Sequence, residues 1–256
     1  MDRRTFSAVA AAAATASLFG VPSKSLAAVE ARNVVLVHGA YADGSCWTDV
    51  IALLQAAGLR ATAVQNPLRS LTDDVAATKW VLDRQDGPTV LVAHSYGGMI
   101  VTEAGDHPNV SALTYVAARA PDAGENYTQL ASRFPTPPAS AGLVTSAGFE
   151  LLNEDAFLND FANGVDPDRA KLLYAVQAPI SATLFPTART SIAAWRQKPS
   201  WYAVSAEDRT IDPNLERFMA SRMKATTIEL AAGHLSLVSH PREISNLIIA
   251  AAGPNA

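Results

Sequence analysis

The apolar run Thr89-Val90-Leu91-Val92 passes directly into Ala93-His94-Ser95-Tyr96-Gly97, and this passage restricts the possible architecture more than any other part of the chain. The run reads as a buried strand. Gly97-Gly98 followed by Met99-Ile100-Val101 reads as the helix it enters. Small residues two before and two after the serine let strand and helix backbones pass closely, so the turn can be sharp and strained, with the Ser95 hydroxyl standing clear of a sheet. The first of these small residues is Ala93, not glycine. Ser95 is therefore a candidate nucleophile, and an ordinary turn serine is the competing reading.

The alternation of strand and helix continues along the chain. Strands are predicted near 33–38, 60–65, 88–94, 111–117, 200–205 and 225–230, and helices near 46–57, 71–85, 97–105 and 241–252. Strands alternating with helices imply an α/β fold with a mostly parallel central sheet covered on both faces. Asp73-Asp74 and Gly58 fit the usual preferences for helix starts and ends. With 256 residues, 49% hydrophobic and 17% charged, the chain can bury one substantial core. From about 119 to 195 the pattern breaks into short segments interrupted by Pro121, Pro135, Pro137, Pro138, Pro167, Pro179 and Pro186. This stretch reads as a helical cap over Ser95. Its aromatic residues, Tyr127, Phe134, Phe149, Phe157, Phe161, Tyr174 and Phe185, predict an apolar acyl or alcohol pocket of modest size.

A serine hydroxyl is a weak nucleophile at neutral pH and needs a histidine base held by a carboxylate. Of five histidines, His38 and His94 read as turn-shaping residues and His107 as a solvated loop residue. His240, before Pro241, reads as a helix boundary. His234 is the candidate base, because it follows the strand-like Thr226-Thr227-Ile228-Glu229-Leu230 on a loop where catalytic groups of α/β proteins gather. Asp208 leaves the strand Trp201–Ser205 and is the candidate carboxylate, with Glu207 pointing the other way. Asp208 could instead cap a helix, but Asp212, before Pro213, suits that task better. The oxyanion formed on attack needs two backbone donors. The candidates are the amides of Tyr96, at the start of its helix, and of Ala40, in His38-Gly39-Ala40-Tyr41 after the first strand.

Asp2-Arg3-Arg4-Thr5-Phe6, an alanine-rich apolar run and Ser25-Leu26-Ala27 read as an export signal over residues 1–27, of twin-arginine type. The mature chain is then expected to be periplasmic or secreted, without stable membrane insertion. The formal charge of −4, with no basic cluster, argues against nucleic-acid binding. The single cysteine, Cys46, excludes an internal disulfide and reads as a small buried residue. No His-x-x-x-His, Cys-x-x-Cys or Gly-x-Gly-x-x-Gly is present, so neither metal nor cofactor is expected.

Four motifs in order carry a family resemblance: Val35-Leu36-Val37-His38-Gly39-Ala40 with Gly44-Ser45-Cys46-Trp47, Ala93-His94-Ser95-Tyr96-Gly97-Gly98, Ala206-Glu207-Asp208-Arg209-Thr210-Ile211, and Gly233-His234-Leu235-Ser236-Leu237. With the order serine, acid, histidine, they resemble the α/β-hydrolase superfamily. The nearest subgroup contains plant methylesterases, hydroxynitrile lyases and small bacterial carboxylesterases. The resemblance implies a cofactor-free serine esterase cleaving small to medium apolar or aromatic esters. Hydroxynitrile lyases of the group typically carry threonine after the first histidine and lysine after the catalytic one, where this chain has Gly39 and Leu235. Lyase or perhydrolase chemistry, or a non-catalytic protein binding a small ligand, are the alternatives.

Overall fold

The computed structural model describes residues 30–253, so the export-signal reading of residues 1–27 lies outside the described residues. In chain order the strands are β1 (Asn33–Val37), β2 (Arg60–Val64), β3 (Thr89–His94), β4 (Val110–Val116), β5 (Leu143–Ser146), β6 (Phe149–Leu152), β7 (Ile180–Ser181), β8 (Ser200–Ser205) and β9 (Thr226–Leu230). Six of them form a parallel sheet in the order β2-β1-β3-β4-β8-β9. Every residue of β1 and β3 is buried, as expected of strands covered on both faces, whereas the edge strands β2 and β9 expose part of theirs. The chain goes outward from β1 to β2 and returns to β3 beside β1. That reversal opens a crevice at the carboxyl ends of β1 and β3. Pairing of Val37 with Ala93, Ala93 with Tyr115 and Val116 with Ala203 brings the strand ends out along one edge.

The helices Thr48–Ala56 and Pro241–Ala252 pack together, as do Leu71–Asp83 and Gly97–Ala104, and right-handed crossovers on either side of the reversal put the two pairs on opposite faces. The helix Pro213–Met223 lies against β8. Its N-cap is Asp212, whose Oδ1 accepts from the amide of Asn214 at 2.8 Å, with Pro213 in the first turn. Ser70 rather than an aspartate caps Leu71–Asp83, its Oγ accepting from Asp73 N at 3.1 Å. Asp74 turns inward and is fully buried.

Between β4 and β8 the insertion combines short helices with a second, antiparallel sheet of order β5-β6-β7. Its hairpin turns at Ala147-Gly148, both left-handed with φ of 50° and 82°, the backbone required by a two-residue primed turn. Strands of two to four residues, with β5 exposed throughout, leave no alternation of burial for a sequence to display. The insertion is tied to the sheet domain by Ser181 N donating to Leu68 O at 2.8 Å and by Glu103, whose carboxylate accepts from the amides of Ser191 and Ile192. Among the described residues no helix is long and apolar enough to cross a membrane.

Candidate active site

Ser95 stands between β3 and the helix Gly97–Ala104 with φ of 52°, a left-handed conformation that costs a non-glycine residue on the order of 1–3 kcal/mol. The turn is held from two sides. Ser95 N donates to Val116 O at 3.2 Å, and Ser95 O accepts from Gly98 N at 3.0 Å and Arg119 N at 2.9 Å. Such close packing leaves no room for side chains: a Cβ on Gly98 would lie 2.1 Å from Arg119 O, and one on Gly39 would lie 2.6 Å from the Cβ of Ser95. Ala93 fits within the fully buried end of β3.

Asp208 and His234 meet across the loops that follow β8 and β9. His234 Nδ1 and Asp208 Oδ2 are 2.6 Å apart, with both side chains buried. Asp208 Oδ1 accepts from the amides of Thr210 at 2.6 Å and Ile211 at 2.9 Å, which fixes the carboxylate in its role as acceptor. Facing a carboxylate oxygen, Nδ1 is the donor of this bond, and Nε2 is turned away from Asp208. His234 Nε2 is buried and has no hydrogen-bond partner among the described residues, Ser95 included. The structure thus joins Asp208 to His234 directly, while Ser95 is not hydrogen-bonded to the imidazole. Glu207 is exposed, and its carbonyl accepts from Asn163 Nδ2.

Two other histidines frame this group without exposing a proton to it. His94 Nε2 donates to the carbonyl of His234 at 3.1 Å, and the two rings lie 4.7 Å apart. Burial holds the His94 pKa well below the usual histidine range, so its ring stays neutral and acts as a prop for the His234 loop. His38 Nδ1 donates to Gly39 O at 2.8 Å, and its Nε2 accepts from Asn66 N at 3.0 Å, fastening the loop after β1 to the end of β2. Burial lowers its pKa as well. Outside the site, His107 is not a solvated residue: its Nε2 meets Asp83 at 3.0 Å, and its Nδ1 accepts from Asn109 N. His240 precedes the last helix and meets Ser239 Oγ.

The amides of Ala40 and Tyr96 donate to no other group among the described residues. They border Ser95 on the β1 and helix sides, and Tyr41, next to Ala40, is itself left-handed at φ of 60°. Sequence patterns could not show what anchors Tyr96. Its hydroxyl donates to Asp74 Oδ2 at 2.7 Å, and Asp74 Oδ1 accepts from Leu68 N at 2.7 Å. Burial pushes the Asp74 carboxyl up to about 6 in spite of both hydrogen bonds. A second buried acid lies behind Asp208: Glu216 Oε2 accepts from Ser205 N at 3.0 Å. Burial first, and the adjoining Asp208 second, hold it well above the usual carboxylate range, so Glu216 keeps its proton. In sequence both acids look like ordinary residues of a helix's first turn.

From the insertion, Phe161 places its ring 5.1 Å from that of His234 and 6.2 Å from that of Tyr41, with Phe157 4.9 Å behind it. Ser95 retains only 4% of its exposure beneath this cover. Leu235, beside His234, is buried. Cys46 is buried next to Trp47, and burial raises its thiol far above the usual range.

A family model described as "Alpha/beta hydrolase family" matches residues 34–247. A carbendazim hydrolyzing esterase of Nocardioides sp. (strain SG-4G) is 31% identical over 126 residues, covering 44% of this chain and 52% of that protein, so the match spans about half of that relative's length. Esterase PIR7B of Oryza sativa subsp. japonica is 25% identical over 260 residues, covering 85% of this chain and 94% of its own. Among solved structures, polyneuridine aldehyde esterase superposes with a TM-score of 0.74 at 18% identity, over 88% of this chain and 100% of that one, a likeness of fold.

Proposed function

The chain belongs to the alpha/beta hydrolase family, and from that premise we propose that it is a carboxylic ester hydrolase in which Ser95 forms an acyl-enzyme. The observation that carries this reading is the convergence at one sheet edge of three features: a serine held left-handed at a strand-to-helix turn, a buried Asp208–His234 pair with a free Nε2, and two amides without acceptors. Ser95 Oγ attacks the ester carbonyl carbon while His234 Nε2 takes its proton. Asp208 keeps the imidazole in the tautomer that can do so, and stabilises the imidazolium that results. The amides of Ala40 and Tyr96 receive the oxyanion, their dipoles fixed before the charge develops. His234 then protonates the departing alcohol. Water, deprotonated by the same nitrogen, releases the acid and restores Ser95.

Phe161 against the imidazole, with Tyr41 against Phe161, favours small to medium apolar or aromatic groups next to the scissile bond. With Leu235 following the base, no cation stands there to receive a cyanide-like anion, which favours hydrolysis over lyase chemistry. The test is hydrolysis of a p-nitrophenyl ester series by the parent and by Ser95→Ala. Activity is expected in the parent and lost in the variant; a folded parent inert towards both the esters and a fluorophosphonate probe would refute the assignment. Export through residues 1–27 is part of the proposal. It rests on Arg3-Arg4, the apolar run and Ser25-Leu26-Ala27, and N-terminal sequencing of protein recovered outside the cytoplasm tests it.

A further inference from the structure

Arg119 follows β4 and donates its amide to the carbonyl of Ser95, so its side chain starts at the nucleophile's own turn. The guanidinium carbon lies 3.9 Å from the ring centroid of Phe185 and 4.8 Å from that of Tyr127. Phe185 in turn meets the Tyr96 ring at 5.6 Å. No carboxylate among the described residues comes within ion-pair distance of it, in contrast to Arg196, Arg209, Arg217 and Arg222, each paired with an acid. Its Nε is buried without a hydrogen-bond partner. Close enough to feel its charge is the hydroxyl of Tyr41, the residue after Ala40, which is also buried without a partner. Neither ring offers an oxygen bonded to the guanidinium, and the N–H edges of a guanidinium match a carboxylate two bonds at a time. A buried donor left unmatched is costly, so two of them, one on the residue whose amide bonds Ser95 O and one on the residue after Ala40, mark a place prepared for an acceptor.

We propose that Arg119, with the Tyr41 hydroxyl, binds a carboxylate carried by the substrate a few bonds from the scissile carbonyl, so that half-esters of short dicarboxylic acids are preferred over neutral esters of the same shape. The inference rests on the ester-hydrolase reading and adds to it the charge of the acyl group. The apolar cover of Phe161 stands on the His234 side, and the cation stands on the β4 side.

The test compares kcat/KM for the p-nitrophenyl half-ester of glutaric acid with that for its neutral counterpart, in which an isopropyl group replaces the terminal carboxylate. Both are measured at low ionic strength in the parent, Ser95→Ala, Arg119→Met, Arg119→Lys and Tyr41→Phe. The parent is expected to favour the anionic ester. Arg119→Met should lower the ratio of anionic to neutral on the order of tenfold or more, the scale of a lost charge-assisted bond. Arg119→Lys should restore part of it, since charge is kept and the fork is lost. Tyr41→Phe should lower it less. A parent ratio at or below one that is unchanged in Arg119→Met and Arg119→Lys, with both esters cleaved in a Ser95-dependent manner, overturns the inference and leaves the esterase reading standing. Absence of Ser95-dependent cleavage of either ester by folded parent overturns both. If Arg119→Met does not fold, the ratios in Arg119→Lys and Tyr41→Phe decide.

Discussion

Asp74 is the residue at which burial most clearly opposes ionisation while hydrogen bonds demand an acceptor. Its carboxyl is fully buried beneath the site, and it receives the amide of Leu68 and the hydroxyl of Tyr96. Held at about 6 in the folded protein against an ordinary value of 3.8, it costs about 3 kcal/mol of folding free energy whenever it is ionised in both states. Because the folded value is the raised one, the associated stability is complete below about pH 3.8, declines as pH rises through 6, and is absent above about pH 7. Asp74→Asn keeps an oxygen for Leu68 N but faces the Tyr96 hydroxyl with a donor, forfeiting about 1 kcal/mol at every pH. The variant is thus expected to be roughly 0.5 kcal/mol less stable than the parent at pH 4, and about 2 kcal/mol more stable at pH 7.5. Urea unfolding of both proteins at these pH values, followed by tryptophan fluorescence, measures the difference, with equal m values as the control for a common unfolded state. Asp86, Asp122 and Glu229, whose carboxyls are lowered by arginine partners, impose the opposite slope, but they are common to both proteins and cancel. A stability difference that moves by less than about 1 kcal/mol between the two pH values, or moves the other way, would refute the reasoning.

Three further outcomes follow from the site. Asp208→Asn removes the acceptor that keeps the proton on His234 Nδ1, and kcat on a p-nitrophenyl ester should fall by roughly 10³–10⁴ with KM little changed; a loss under tenfold would dismiss the pair as catalytic. Gly98→Ala places a methyl 2.1 Å from Arg119 O, so the backbone must yield, and thermal unfolding should show a loss of about 1–3 kcal/mol or more; an unchanged Tm would mean the turn is not close-packed. Glu216→Gln preserves the neutral, hydrogen-bonded state of the buried acid and should leave stability at pH 7 within about 1 kcal/mol. Glu216→Leu orphans Ser205 N and should cost about 1–3 kcal/mol, and equal losses in the two variants would contradict a protonated Glu216.

The parallel sheet was legible because its physics is local. Fully apolar runs such as Val34–Val37 and Val90–Ala93 are written only where both faces of a strand are covered, and glycines at 97 and 98 stand where backbones must nearly touch. The same locality exposed Ser95 as the residue at the tip of the turn, and Asp208 and His234 as the polar groups leaving the last two strands. The short strands of the insertion were illegible for the converse reason, since two to four residues with little burial carry no period. Asp73-Asp74 read as a helix start because an acid in a first turn looks alike whether it faces water or the core.

Partnership across the fold has no local signature. His94 meets the carbonyl of a residue 140 positions away, Tyr96 reaches Asp74 across 22, and the ring pair around Arg119 comes from separate parts of the insertion. Residue type and spacing decided that Ser95, Asp208 and His234 would leave the same edge of one sheet, because strand direction and chain order suffice for that. Which histidines stay neutral, which acids keep a proton and whether a cation such as Arg119 meets an acid depend on burial and on neighbours brought together by packing; those electrostatic facts came into being only when the chain closed upon itself.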